Sequence, residues 1–228
     1  MKKVIFSLLC VLIIGFTGCI KNGSNTSTIQ GPAVVKYYMG QLMLRIDGVL
    51  FAIPNTDGAL FVDDLIWAFF TVDYDNQAST DYYTVYDFSY MPIKSSYPIE
   101  SYDEGGSSEN YTAPIIDISG GAIVDHYLVL LLSQYSSEKM EYIYEMSYDP
   151  NEEGERPTVY IRAKKMSSGT DTDYKVDYPY AFNMYNYVMH QGENNKITIN
   201  VKYKTGETDG KEQFATYVNP ISFDFSTQ

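Results

Sequence analysis

Cysteine is nearly absent from this chain, whose 228 residues include two cysteines, Cys10 and Cys19. Cys10 lies inside an amino-terminal apolar run, and Cys19 lies just beyond its end. We expect the first to leave with a cleaved leader and the second to be modified, so no pair remains for a disulfide. A hydrophobic core therefore has to hold residues 19–228, which suffice for one large or two small domains.

Positive charge is scarce as well, because 16 Lys and Arg residues face 29 Asp and Glu residues, for a net charge of −13. Loss of Lys2 and Lys3 with the leader would bring the charge to −15, since −13 − 2 = −15. The phosphates of a nucleic acid would repel such a chain, so we expect no nucleic-acid partner. Flat adsorption to anionic lipid is disfavoured for the same reason. A solvated, highly soluble surface is the expected consequence.

Histidine and catalytic motifs are also missing or rare. The two histidines, His126 and His190, are expected in distant parts of the fold and make a poor metal site. Asp125 precedes His126, and in a strand the two side chains would point to opposite faces and could not form a dyad. Gly-x-Ser-x-Gly, His-Glu-x-x-His and phosphate-binding glycine loops do not occur. We therefore predict no catalytic residues, no metal and no cofactor.

Acidic residues cluster in three turns, but none of these turns has the spacing of a calcium loop. Calcium needs six to eight oxygen ligands on a loop shaped for them, and the EF-hand pattern is absent. We interpret the three clusters as solvated hairpin tips. They contain Asp149, Glu152, Glu153 and Glu155, then Asp171 and Asp173, and finally Glu207 and Asp209.

The amino terminus has the form of a lipoprotein leader. MKKVIFSLLCVLII combines two lysines with an apolar run too short to span a membrane, which predicts a signal peptide over residues 1–18. Phe16-Thr17-Gly18-Cys19 resembles the lipobox of bacterial lipoproteins, with Phe16 where leucine is usual. The resemblance implies that Cys19 is lipidated and becomes the first residue of the mature protein. A diacylated cysteine would anchor the chain stably.

The rest of the chain has strand periodicity. MEYIYEMSY (residues 140–148), KITINVKY (196–203) and ISFDF (221–225) place apolar side chains at every second position, which predicts strands with one buried face. Turn signals such as Asp47-Gly48 separate about eleven or twelve short strands, and no convincing helical run appears. We predict an all-β fold.

Two domains are predicted, with a weak boundary near residues 100–112. Five candidate strands precede it, which fits a small OB-like barrel over residues 35–102. About seven follow, which fits a β-sandwich over residues 103–228. A single larger sandwich is the alternative. The small polar residues 19–34 are predicted to be a flexible tether. The barrel strands are expected at 41–47, 49–53, 65–74, 81–90 and 97–101.

Tyrosine is the abundant residue, at 23 of 228 positions against one tryptophan. In DYYTVYDFSY, alternation places Tyr82, Tyr86, Phe88 and Tyr90 on one nearly all-aromatic face. An exposed face of this kind could stack sugars or hold a peptide, and a buried one would belong to the core. The sequence leaves both interpretations open.

Several segments resemble the NigD-like lipoproteins of Bacteroidales. LIWAFFTVDYD, DYYTVYDFSYMPIKS, IIDISGGAIVDHYLVLLLSQ and EYIYEMSYDP are similar to strands of that family, and the likeness covers residues 40–225. The resemblance implies an OB-like domain followed by a β-sandwich, with no established activity and no transferable catalytic residues. The family takes its name from a bacteriocin locus, which indicates an immunity role. Surface-exported lipoproteins of this phylum tend to carry acidic residues directly after the lipidated cysteine. IKNGSNTS contains none, which favours the periplasmic face of the outer membrane over the cell surface.

The leading functional hypothesis is a non-enzymatic lipoprotein that binds an envelope glycan, peptide or protein. Its contact with the membrane would run through the lipid on Cys19. A toxin-immunity lipoprotein is the alternative, and an envelope hydrolase is a third. The aromatic residues Tyr82, Tyr86, Phe88 and Tyr90 are the candidate binding residues.

Overall fold

The computed structural model of the chain describes residues 25–54, 56, 58–75, 77, 79–101, 111–135, 141–151, 156–166 and 174–225. The predicted signal peptide, Cys19 and the beginning of the predicted tether lie outside these residues. Fifteen strands and one short helix form within them, so the all-β prediction is confirmed.

The first five strands close into a small barrel. They are β1 (Thr26–Tyr38), β2 (Gln41–Ile46), β3 (Val49–Ala52), β4 (Leu65–Asp73) and β5 (Tyr83–Pro92). The order around the barrel is β1, β2, β3, β5, β4, and β4 pairs with β1 to close it. β3 and β5 run parallel, while the other neighbours run antiparallel. This Greek-key arrangement confirms the predicted OB-like barrel and rules out one larger sandwich.

The barrel begins earlier than the sequence predicts. Thr26–Val34 was expected to belong to the tether, but it pairs residue by residue with β4, from Thr26 opposite Asp73 to Val34 opposite Leu65. Ile29 packs against the barrel core and Ala33 is fully buried in it. The small polar residues of this segment hide its strand character, because the pairing partner is an apolar strand more than thirty residues later.

Tight turns connect three of the hairpins. The turns at Met39-Gly40, Asp47-Gly48 and Asp209-Gly210 each place both residues at positive φ. Two-residue turns of this form match the right-handed twist of paired strands and favour Asp-Gly. The turn predicted at Asp47-Gly48 is therefore confirmed.

The remaining strands form a two-layer sandwich. They are β6 (Lys94–Ser96), β7 (Ile99–Glu100), β8 (Asp117–Val124), β9 (Tyr127–Tyr135), β10 (Tyr142–Tyr148), β11 (Thr158–Lys165), β12 (Lys175–Asn183), β13 (Lys196–Thr208), β14 (Lys211–Thr216) and β15 (Ile221–Asp224). One sheet has the order β14-β13-β11-β10-β7, with β15 also paired to β13, and the other has the order β6-β12-β9-β8.

Residues 97–101, which were predicted to form a barrel strand, belong to the sandwich. The strand expected at residues 97–101 is replaced by β6 and β7, which pair in parallel with β12 and β10 of the two opposite sheets. Residues 94–100 therefore cross from one layer to the other. Pro98 lies between the two short strands and interrupts them, since proline cannot donate a ladder hydrogen bond. With these additions the sandwich has ten strands among the described residues, where about seven were predicted.

The sandwich core confirms the predicted strand faces. Tyr142, Tyr144, Met146 and Tyr148 of β10 are buried in one cluster. The alternating residues Ile199, Val201 and Tyr203 of β13 and the residues Phe223 and Phe225 join the same cluster. Tyrosine fills much of this core because its ring packs against other rings. The hydroxyl of Tyr142 also donates to the carbonyl of Tyr135 at 3.0 Å.

One helix interrupts the strand pattern. Residues Tyr185–Gln191 form α1, although no convincing helical run was predicted from the sequence. Tyr187 and Val188 are buried on its inner side, and the helix ends before Gly192. Contact with the core thus overrides the weak local preference of this segment. None of the described helical structure is long and apolar enough to cross a membrane.

The two domains share a small hydrophobic junction. Val34 and Leu65 of the barrel pack against Val124, Val129 and Ala181 of the four-stranded sheet. Ile93, in the short connection between the domains, belongs to the same buried cluster, and Trp67 packs against it. The outer face of β1 and β4 is therefore covered by the outer face of β8, β9 and β12.

A buried ionic cluster ties the β13–β14 hairpin to β11. The fully buried Arg162 donates to both carboxylate oxygens of Glu212, at 2.7 to 3.1 Å, and to the hydroxyl of Ser147. Lys204, also buried, lies 2.8 Å from the same carboxylate. Burial opposes ionisation of Glu212, but hydrogen bonds from the two cations outweigh it and lower its pKa. Glu212 thus compensates two buried positive charges.

Glu212→Gln should destabilise the protein by about 3 to 5 kcal/mol, because it removes the one carboxylate that both buried cations, Arg162 and Lys204, contact directly. Glu207→Gln is the matched control, since Glu207 lies 3.7 Å from Lys204 but its side chain is half exposed. It should cost less than about 1 kcal/mol. Urea unfolding followed by circular dichroism measures both, and equal losses would show that the cluster does not stabilise the fold.

Candidate functional site

A β-bulge divides the aromatic segment that the sequence proposed as a binding face. Along β5, Val85 lies opposite Val72 and Tyr86 opposite Thr71, but Ser89 lies opposite Phe69. One extra residue is accommodated at Asp87, which has a φ of 52°. An inserted residue reverses the inward and outward alternation, so the positions before and after the bulge change faces.

The predicted candidates therefore do not share a face. Tyr86 lies outside the barrel with 45% of its surface exposed, while Phe88 and Tyr90 pack against the barrel core and stack on each other at 5.7 Å. Tyr82 precedes the strand and is half-buried. The prediction of one aromatic surface is wrong for this reason, and a binding role for these residues stays a prediction. Of the four, Tyr90 lines a cleft.

This cleft lies where the barrel meets the sandwich and has a volume of about 340 Å³. Its apolar floor includes Leu60, Leu65, Ile66 and Ile93. Its polar lining comes from the loop between β3 and β4, from β5 and β6, and from the start of β9: Asp63, Asp64, Tyr90, Ser95 and Tyr127. A concave, mostly preformed site with a few converging polar groups at a domain boundary is the usual form of a ligand pocket.

The acidic wall of the cleft is held by backbone hydrogen bonds. The N–H of Asp63 donates to the carbonyl of Val35, and the N–H of Val35 donates to the carbonyl of Asp64. These bonds extend the β1–β4 ladder beyond Leu65. The Asp64 carboxylate accepts the N–H of Phe61 at 2.7 Å, which closes a tight turn. The two carboxylates are thus fixed at the rim by the barrel itself.

Lys36 connects this wall to the sandwich. Its Nζ lies 2.8 Å from Asp63 Oδ1 and 2.8 Å from Oδ2 of Asp125, in the turn between β8 and β9. Burial works to lower the pKa of Lys36, but the two carboxylates outweigh it and raise that pKa. Burial likewise works to raise the pKa of Asp125, and Lys36 reverses the effect, so the pKa of Asp125 is lowered. One lysine therefore bridges the two domains.

His126 lies beside this bridge, but it and Asp125 are not in the strand in which they were expected to point to opposite faces. Asp125 and His126 form the two-residue turn between β8 and β9 instead of lying in a strand, with Asp125 at a φ of 56°. His126 Nδ1 is 3.9 Å from Asp125 Oδ2, which exceeds hydrogen-bond distance. The His126 ring packs on that of Tyr127 with centroids 4.3 Å apart. Burial, with the positive charge of Lys36, lowers the pKa of His126 despite the nearby carboxylates.

The other candidate sites gather no metal-binding set. The described residues contain no group of three or more His, Cys, Asp or Glu side chains that could hold a metal ion. Asp149 and the Glu207–Asp209 turn lie within that part of the chain. Residues 152–155 and 171–173, which complete the other two acidic turns, lie outside the described residues, as does Cys19.

The cleft was not predicted from the sequence, because its residues are far apart in the chain. Lys36, Asp63 and Tyr127 meet only after the barrel closes and the sandwich packs against it. One local signal was available. In FVDD, the exposed Phe61 and Val62 directly precede two acidic residues, and exposed apolar residues on a loop often mark a binding surface.

The lowered pKa of His126 makes the junction sensitive to mild acid. Because the pKa of His126 is lower in the folded protein than its ordinary value of 6.5, the unfolded protein binds a proton on this residue more readily. The stability is therefore highest above pH 6.5 and decreases as the pH falls through the pKa of the folded state. The free energy of unfolding should decrease between about pH 7.5 and 5.5, and His126→Gln should flatten this dependence while His190→Gln retains it. Proton NMR titration should give His126 a pKa below 6.5, and a higher value would contradict the expectation.

Comparison with known proteins gives similarity of structure alone. No protein-family model and no curated protein matches the chain. An uncharacterized protein from Parabacteroides merdae shares its structure with a TM-score of 0.63 and 18% identity over 86% of this chain and 98% of that one. A proposed lipoprotein from Bacteroides fragilis gives a TM-score of 0.61 and 13% identity, again over 86% and 98%.

A NigD-like immunity protein from Bacteroides caccae also has this structure, with a TM-score of 0.57 and 16% identity over 82% of this chain and 91% of that one. Similarity at such low identity shows the fold alone. The resemblance to NigD-like lipoproteins drawn from the sequence is therefore confirmed at the level of the fold, which this chain shares with Bacteroidales proteins that include a NigD-like immunity protein.

Proposed function

We propose that the chain is a lipid-anchored, non-enzymatic binding protein of the bacterial envelope, and that the cleft between its domains is the ligand site. The cleft carries this proposal. Its floor is apolar, its polar groups converge from the barrel and the sandwich, and backbone hydrogen bonds to β1 hold the loop that carries Asp63 and Asp64. Rigid walls lower the ordering cost of binding, which favours recognition by a preformed site.

A role in binding fits the state of the charged groups better than catalysis does. Asp63 and Asp125 are both paired with Lys36, and the Asp64 carboxylate accepts a backbone N–H. His126 Nδ1 lies beyond hydrogen-bond distance from the Asp125 carboxylate, so the two do not form the coupled pair that a general base requires. These groups have structural partners, which supports a positioning role over proton transfer.

Anchoring is proposed through Cys19. The support is the lipobox-like Phe16-Thr17-Gly18-Cys19 at the end of the apolar run, together with the shared fold of a proposed lipoprotein from Bacteroides fragilis. The absence of acidic residues from Ile20 to Ser27 supports the periplasmic face of the outer membrane. Two acyl chains suffice for stable attachment, whereas a single short chain binds reversibly.

Cys19→Ala should release the protein from the membrane fraction and abolish incorporation of labelled fatty acid. Cys10→Ala is the matched control, because Cys10 lies inside the predicted signal peptide and its loss should leave anchoring unchanged. Fractionation of cells expressing each variant, followed by immunoblotting, measures the distribution. A Cys19→Ala protein that stays in the membrane fraction would contradict the proposal.

Immunity against a toxin is a second proposal, supported by the fold shared with the NigD-like immunity protein of Bacteroides caccae. An immunity protein of this kind would protect the envelope of the cell that carries it. Deletion of the gene should then increase sensitivity to a toxin encoded beside it, and the intact gene supplied in trans should restore resistance. Identical killing curves for the deletion strain and its parent would remove this proposal.

A further inference from the structure

We propose that the cleft binds a basic side chain, lysine or arginine, carried by a peptide segment of a partner protein. This inference rests on the proposed binding function of the cleft and specifies its ligand. Three features support it: the charge of the lining, the placement of its aromatic rings and the apolar residues on the adjoining loop.

The lining of the cleft is negative. Asp63 and Asp64 contribute two carboxylates, and the lining residues described for the cleft include no lysine, arginine or histidine. Lys36 contacts Asp63 from β1 and is shared with Asp125 on its other side. Lys36 faces two carboxylates in this bridge, and the charge of Arg45 also acts on Asp125. Asp64 adds a third carboxylate that no cation among the described residues contacts. The described lining of the cleft itself carries two carboxylates and no cation, so it favours a positive ligand over an anion.

Two tyrosines, Tyr90 and Tyr127, line the cleft, and such residues suit a cation on a long apolar stem. Tyr90 is supported by its stack with Phe88, and Tyr127 by its contact with His126. Ring faces attract ammonium and guanidinium groups. The methylene stem of lysine or arginine packs well on an apolar surface while its charged end reaches polar groups. The cleft offers this combination, with Leu60 and Ile66 in the floor and the carboxylates at the rim.

The loop beside the cleft supplies apolar contacts for the neighbouring residues of a peptide. Phe61 and Val62 are 68% and 48% exposed, and they immediately precede Asp63. In many interfaces a pocket binds one anchor residue of the partner, and apolar contacts around the pocket exclude water. Phe61 and Val62 can supply such contacts beside this cleft. The net charge of −13 also attracts basic partners over a distance and raises their association rate. A neutral glycan would gain nothing from this field.

The test uses the single tryptophan of the chain as a reporter. Trp67 packs against the hydrophobic junction between the domains. It directly follows Leu65 and Ile66, which belong to the cleft floor. The probes are two capped tetrapeptides, acetyl-Ala-Lys-Phe-Ala-amide and the matched acetyl-Ala-Glu-Phe-Ala-amide, titrated into the protein at low salt. The lysine peptide should change Trp67 fluorescence with a Kd of about 1 mM or below, while the glutamate peptide should not.

The variant that tests the site is the double substitution Asp63→Asn and Asp64→Asn. Asparagine tolerates the φ of 70° at Asp63, and at position 64 its oxygen can still accept the N–H of Phe61. Binding of the lysine peptide should weaken at least about tenfold. The double substitution Asp75→Asn and Asp81→Asn, in the loop between β4 and β5, is the charge-matched control and should leave binding unchanged. Tyr90→Leu is a second variant should the double substitution unfold the protein, and it should also weaken binding.

The outcomes separate the inference from the function on which it rests. Equal binding of the two peptides, or lysine-peptide binding that ignores the double substitution, overturns the basic specificity. Binding of N-acetylglucosamine oligomers that Tyr90→Leu abolishes, without lysine-peptide binding, keeps the cleft as a ligand site but overturns its proposed ligand. If neither peptide nor glycan changes Trp67 fluorescence, both the inference and the proposed binding function fail.

Discussion

The pairing of β1 with β4 is the interaction on which the rest of this structure depends. Nine residue pairs, from Thr26 opposite Asp73 to Val34 opposite Leu65, close the barrel. The same ladder presents Val34 and Leu65 to the sandwich. Beyond Leu65 its backbone bonds fix Asp63 and Asp64 at the rim of the cleft. Closure of the barrel, packing of the domains and construction of the site are therefore consequences of one pair of strands.

Charge has two different structural tasks in the molecule. In the sandwich, Glu212 compensates the buried Arg162 and Lys204, which a purely apolar hairpin would not need. At the junction, Lys36 pairs with one carboxylate from each domain. Ion pairs of this kind contribute little net stability compared with apolar packing, but they demand one geometry. The junction cluster supplies the attraction, and Lys36 supplies a directional contact between the domains.

Local patterns predicted much of the fold and little of the site. The alternation of Tyr142, Tyr144, Met146 and Tyr148 fixes a buried face without any knowledge of partners, and an Asp-Gly turn is a local signal too. The strand at Thr26–Val34 was not predicted, because it forms only by pairing with β4. The aromatic residues do alternate along the sequence, but the bulge at Asp87 turns those before and after it to opposite faces. The cleft joins residues that are distant in the chain. Long-range pairing decides these features, and a single sequence does not display it.

If Cys19 carries a lipid, as we propose, the early start of β1 limits how far the domains can stand from a bilayer. Between Cys19 and Asn25 there are six chain steps, which span at most about 20 Å. A lipid on Cys19 would therefore hold the Asn25 end of the barrel close to the headgroups. That end carries Asp73 and Asp75, which anionic headgroups repel. The cleft begins where β1 has run a further eight residues, or about 26 Å, so its opening would lie well clear of the lipid surface.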